Sequence, residues 1–213
     1  VKCIEYDYNE VLNSVKKCLD GIEGIKKIEK GSRVLVKTNL LKKNKPEDGV
    51  TTHPYIVEGV VRYLQDLDCQ VIVGDSPGGP LTKRILKGIY ETSGLIGVQE
   101  RTGCELNYDV DSKDIYNENA EFVKHMKIVK AFDEVDYVVS CAKLKTHGMM
   151  TYTGAVKNLF GVIPGVTKAD YHLKMNDSNN FANMLLDICE YINPVFFIID
   201  AIECMEGNGP SSG

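Results

Sequence analysis

Residues 137–147 read YVVSCAKLKTH, an apolar, β-branched run that ends in two lysines, a threonine and a histidine. A short apolar run bounded by polar residues suits a strand buried on both faces, as in a parallel sheet. Three other stretches close in the same way. RVLVKTNL (33–40) passes into Lys37, Thr38 and Asn39, QVIVGDSPGG (70–79) into Gly74, Asp75 and Ser76, and VFFIIDAIE (195–203) into Asp200. Helical patterns lie between them. Val11, Leu12, Val15, Cys18, Leu19 and Ile22 recur at amphipathic spacing, and Pro54 opens a helix to about Leu67 behind a Thr52 cap. Residues 82–94 and 181–192 read as further helices, the last stopped by Asn193-Pro194, and a short helix is expected around 155–160. Residues 121–130, EFVKHMKIVK, alternate like an antiparallel or edge strand, whereas 95–119 is less regular, with one weak strand near 104–108. Strands alternating with helices imply right-handed crossovers. The expected fold class is α/β: a mainly parallel sheet with helices on both faces and one weak or edge antiparallel strand.

At 213 residues the chain suits a single α/β domain, 1–213. It begins with Val rather than Met and stops at GPSSG, so it is expected to be a piece of a longer chain lacking a C-terminal part. Net charge is −5, which offers no global basic field, so no nucleic-acid partner is expected. No apolar run approaches the roughly 20 residues that span a bilayer, so no membrane segment is expected. The first residues, VKCIEYDYNE, do not form a secretory signal. Seven cysteines never lie closer than fifteen positions, as in Cys3 to Cys18, which excludes local C-x-x-C metal knuckles. An odd, scattered set in a chain without a signal reads as reduced thiols in a cytoplasmic protein.

In open α/β sheets ligands bind outside the carboxyl ends of the strands. Four strands therefore deliver Lys37, Asn39, Asp75, Ser76, Lys143, Lys145, Thr146, His147 and Asp200 to one edge. Lys143 and Lys145 are two apart and project to one face of a strand. Two neighbouring ammonium groups call for an anion between them or acids beside them. Gly154 permits close backbone approach, and Lys157 and Asn158 sit near a helix start suited to anions. GDSPGG lacks the spacing of a phosphate-binding P-loop, and reads either as a backbone anion cradle or as a tight turn. Asp75 is a ligand for a metal or ammonium, or a cap for the next turn. Of the four histidines, His147 has the surroundings of an acid/base or ligand, while spacing alone identifies no metal site.

The blocks VLVKTNLL, TTHPYIVEGVVRYL, VIVGDSPGG, KLKTHGMMTYTGAVKNLFGVIPG, KADYH and IIDAIECMEGNGPSSG together resemble domain of unknown function family 362. Members of that family are commonly described as iron–sulfur cluster-binding proteins, often with ferredoxin-like cysteine repeats. The resemblance implies a role in a redox process beside a ferredoxin-type module or redox partner. Those repeats are absent here, so a 4Fe-4S cluster would belong to a part of the protein outside this sequence. A more distant resemblance is to the N-terminal domain of nickel-dependent lactate racemase. It implies that Lys157 matches the lysine carrying a nucleotide-derived cofactor and His147 an active-site histidine. The sequence thus leaves three readings: a redox-associated domain binding an anionic small molecule or cofactor, an isomerase or racemase, and a non-catalytic binding domain.

Overall fold

In the computed structural model, which describes residues 1–211, helix α1 (Tyr8–Asp20) comes first. Asp7 caps it by accepting the Glu10 N–H, and Val11, Val15 and Leu19 form its buried stripe. Then follow β1 (Arg33–Lys37), α2 (Pro54–Asp66), β2 (Gln70–Gly74), α3 (Lys83–Thr92), α4 (Leu95–Thr102) and β3 (Glu105–Leu106). A ribbon of β4 (Ser112–Tyr116) and β5 (His125–Val129) precedes the long β6 (Tyr137–His147), which turns back as β7 (Thr151–Thr153). The chain ends with α5 (Ala155–Asn158), a 3-10 turn, α6 (Lys168–Lys174), α7 (Ser178–Ile192) and β8 (Phe197–Met205).

The main sheet has six strands, with β3, β2, β1 and β6 side by side and β8 on β6. All of these pairs are parallel, while β7 pairs antiparallel with residues 145–147 of β6. β4 and β5 form their own antiparallel sheet. Strand alternation divides the core. Val34, Val36, Val71, Val73 and Val139 face α1–α4, whereas Leu35 joins Phe160, Phe181, Met184 and Ile188 on the opposite side. Helices therefore cover both faces, as the apolar strands require.

Several local expectations give way to tertiary contacts. His53, not Thr52, caps α2, accepting the Tyr55 N–H on Nδ1. Thr52 instead accepts the Asn39 N–H and donates to the Cys141 carbonyl, stitching two strand ends together. Residues 95–102, read as irregular, form α4, bracketed by Gly94 and Gly103 at φ 79° and 72°. Such values suit only glycine without strain, and they let a helix of eight residues start and stop abruptly. β4 escapes the pattern because its sequence, SKDIY, buries only Ile115 and pairs with β5 alone. α6 and β7 were not anticipated, and β8 continues past Asp200 to Met205. Asn193, at φ 45°, ends α7 as its Asn-Pro dipeptide predicts.

Gly59 lets α1 and α2 pack closely, because a Cβ there would stand 2.9 Å from Val15 Cβ. Gly59→Val should lower unfolding stability by about 1–3 kcal/mol through overpacking, read from urea denaturation. An unchanged midpoint and slope would show that this helix contact is not tight.

Candidate functional site

β1 and β2 end in opposite charges, and these meet. Lys37 Nζ lies 2.7 Å from Asp75 Oδ1, both side chains being almost wholly buried. Charge at this depth needs every polar atom satisfied. Lys37 also donates to the Thr38 carbonyl at 2.7 Å and to Asn158 Oδ1 at 3.0 Å. Asp75 accepts the Leu40 N–H at 2.6 Å on Oδ2 and the Ser76 N–H at 2.8 Å on Oδ1. Burial pushes the Lys37 ammonium down, and Asp75 opposes that shift. Gly161 covers the pair; any Cβ there would run into Asp75 and Lys37.

From this floor an amide relay reaches the next strand. Asn39 Nδ2 donates to Asn158 Oδ1 at 3.1 Å, and Asn39 Oδ1 accepts from Lys145 Nζ at 2.9 Å. Lys145 donates again to the Val50 carbonyl at 2.8 Å and has no carboxylate partner among the described residues. Burial first, then the nearby Lys157 charge, drives its ammonium down to about 7 despite Asp75.

A cavity of about 360 Å³ opens above this floor. Its lining includes Asn39, Asp75, Lys145, His147, Lys157 and Asn158, all expected from sequence, together with Thr153, Lys168 and His172. His147 Nδ1 accepts the N–H groups of Met149 and Met150, each at 3.2 Å, so a neutral ring carries its proton on Nε2. Burial, followed by the Lys157 charge, lowers the His147 pKa to about 4. That ring is a hydrogen-bond donor near neutral pH rather than a cation.

Lys157 makes no hydrogen bond or ion pair with the described residues. Its Nζ stands over the rings of Phe160 (5.9 Å) and Phe181 (5.7 Å), and burial pushes it down to about 8. Lys168 donates to the Ser76 carbonyl and also lies over Phe160, at 5.7 Å. Burial lowers it to about 8, with Asp75 opposing and Lys37 and Lys157 adding repulsion. His172 stacks on Phe181 with centroids 4.8 Å apart, its pKa lowered by burial and then by Lys157 and Lys168. The buried Thr153 hydroxyl also lines the cavity and has no partner among the described residues.

Other candidates lie elsewhere. Lys143 does not line the cavity with Lys145; between their β8 partners, Asp200 and Met205, β8 advances five residues while β6 advances two. Lys143 Nζ instead binds Asp200 Oδ2 at 3.1 Å and the Tyr6 hydroxyl oxygen at 2.7 Å. Tyr6 donates to Asp200 Oδ1 and stacks on His53, with ring centroids 3.8 Å apart. That cluster pins the N-terminal segment to the sheet. Thr146 Oγ1 accepts the Gly209 N–H, Gly154 caps α5, and Ser76 is buried behind Asp75. Gly79, at φ 86°, brings the turn after β2 to the cavity wall. The seven cysteines are free thiols, and among the described residues no group of three or more His, Cys, Asp or Glu is placed to hold a metal ion.

The profile of a family described as domain of unknown function (DUF362) matches residues 34–213. The thylakoid-associated protein sll1697 of Synechocystis sp. (strain ATCC 27184 / PCC 6803 / Kazusa) is 31% identical over 210 residues, covering 98% of this chain and 64% of that protein. The lactate racemase apoprotein of Thermoanaerobacterium thermosaccharolyticum is similar in fold, with a TM-score of 0.57 at 11% identity, over 89% of this chain and 48% of that one. The chain thus spans less than two thirds of the length of either. No helix among the described residues is long and apolar enough to cross a membrane.

The floor predicts its own energetics. Asp75→Ala leaves a buried ammonium unpaired and should cost about 3–5 kcal/mol in chemical denaturation, while the double replacement Lys37→Met, Asp75→Leu should recover most of that loss. Equal losses in the single and double variants would mean that the pair is not the floor's organising contact.

Proposed function

The chain belongs to the DUF362 family, and from that footing we propose that it binds an anionic small molecule or cofactor at the carboxyl edge of its sheet. One observation carries the reading. Among the described residues, Lys145, Lys157 and Lys168 border one cavity without a carboxylate of their own, and the lining carboxylate, Asp75, is already held by Lys37. Crowded ammonium groups in a poorly solvated site repel one another, and an anion between them relieves both the repulsion and the lost hydration. The lysines serve as anion binders, His147 as a neutral N–H donor and Thr153 as a hydroxyl donor. Asn39 and Asn158 position Lys145, and Asp75 positions Lys37.

In this reading the domain works in the cytoplasm within a redox process, a ferredoxin-type module elsewhere in the protein supplying electrons. Its support is the resemblance of the sequence blocks to iron–sulfur-associated proteins. Iron and acid-labile sulfide in the full-length gene product test that part.

A second reading, an isomerase or racemase with a lysine-linked, nucleotide-derived cofactor, is favoured by one feature. Lys157 presents an amine without a hydrogen-bond or ion-pair partner among the described residues, lowered to about 8 and therefore nucleophilic near neutral pH, in a fold similar to that of lactate racemase apoprotein. Lys157 would carry such a cofactor and His147 would flank it. Extra mass on Lys157 in protein isolated from its native source supports this alternative, and unmodified Lys157 argues against it.

Anion binding should depend on pH with a definite sign. Lysines lowered to about 7 and 8 lose their charge as pH rises through those values, so anion affinity must fall. Sulfate, whose charge is constant in this range, should bind about tenfold or more weakly at pH 9 than at pH 6.5 by titration calorimetry. Affinity that is flat or rising with pH contradicts the assignment.

A further inference from the structure

We infer that the ligand of this cavity is an organic molecule carrying at least two negative charges. This rests on the anion-binding reading above and narrows it. The first observation is charge count. Asp75 is committed on both oxygens: Oδ1 to Lys37 and the Ser76 N–H, Oδ2 to the Leu40 N–H. Lys145, Lys157 and Lys168 are left as three amine groups that, among the described residues, face no carboxylate in the lining other than the committed Asp75. With all three protonated, as a bound anion favours, a single negative charge would leave two ammonium groups uncompensated in a site where water screens them weakly.

The second observation is arrangement. The three lysines come from three different elements, β6, α5 and α6, and meet at one cavity. Lys157 and Lys168 both stand over Phe160, at 5.9 and 5.7 Å from its centroid, which holds two positive groups around one ring. The buried, unpartnered Thr153 hydroxyl adds a neutral donor to the same lining.

The third is size. A cavity of about 360 Å³ is of the order of ten waters at about 30 Å³ each, several times what an inorganic anion fills. Leu40, Phe160 and Ala169 offer apolar surface for the rest of the ligand. The opposing possibility is that the lysines simply stay neutral when the cavity is empty and tolerate any small solute. Charge selectivity separates the two.

The test compares methanesulfonate, sulfate and phenyl phosphate by titration calorimetry near pH 7.5 at constant ionic strength. The first two share a tetrahedral shape and differ in charge, and the third adds an apolar body to a dianion. Sulfate should bind about tenfold or more tightly than methanesulfonate, and phenyl phosphate more tightly than sulfate. Lys157→Gln and Lys168→Gln should each reduce the preference for sulfate to about threefold or less. Lys157→Arg should retain it, and Lys17→Gln on the remote helix α1 should leave it unchanged. Equal affinity for methanesulfonate and sulfate overturns the charge requirement while leaving anion binding intact. Phenyl phosphate binding no better than sulfate overturns the organic body. Failure of all three to bind overturns the anion-binding reading itself.

Discussion

The buried ion pair between Lys37 and Asp75 is the contact on which the rest of the site depends. It joins the ends of two adjacent parallel strands at a depth where neither charge is tolerable alone. Its remaining valences explain much of the surrounding architecture. The Thr38 carbonyl, Asn158 and the backbone N–H groups of Leu40 and Ser76 are held in place because the pair must be fully bonded. Gly161 is required above it because no side chain fits there. Through Asn158 and Asn39 the same network fixes Lys145, which reaches the cavity from a third strand.

What this arrangement stores is uncompensated positive charge. Buried lysines in folded proteins mostly meet an acid, and Lys37 and Lys143 do; Lys145 meets none among the described residues and shares the cavity with the half-buried Lys157 and Lys168. The protein tolerates this by lowering the proton affinity of those ammonium groups, which makes the empty site partly neutral near pH 8. An anion reverses the shift, so its binding is coupled to proton uptake. On the proposed reading the lysine cluster is a charge trap rather than a structural element. The Lys143–Asp200–Tyr6 cluster is the opposite case: every charge is matched, and its work is to anchor the N-terminal segment.

The sheet and most of the cavity were legible in sequence because burial writes itself into short apolar strands, and parallel topology puts their polar ends on one edge. Asn39, Asp75, Lys145 and His147 follow from that rule, and Lys157 and Asn158 from the helix start after Gly154. Lys168 and His172 do not. They sit on α6, a seven-residue helix with no fully buried residue and hence no readable periodicity. Thr153 enters through β7, which depends on a reversal at Thr151 with φ 65° that no local signal announces. Lys143 was indistinguishable from Lys145 by spacing. Its partners lie 57 and 137 residues away, and the bulge that separates the two lysines is a property of β8.

The most direct measurement is a crystal structure of the protein grown with selenate, whose selenium is located by anomalous scattering. The account predicts a selenate in the cavity within hydrogen-bonding distance of Lys157 Nζ, with its oxygens shared between that ammonium and those of Lys145 or Lys168. Selenate bound only on the outer surface, with the three ammonium groups facing ordered water, would contradict it.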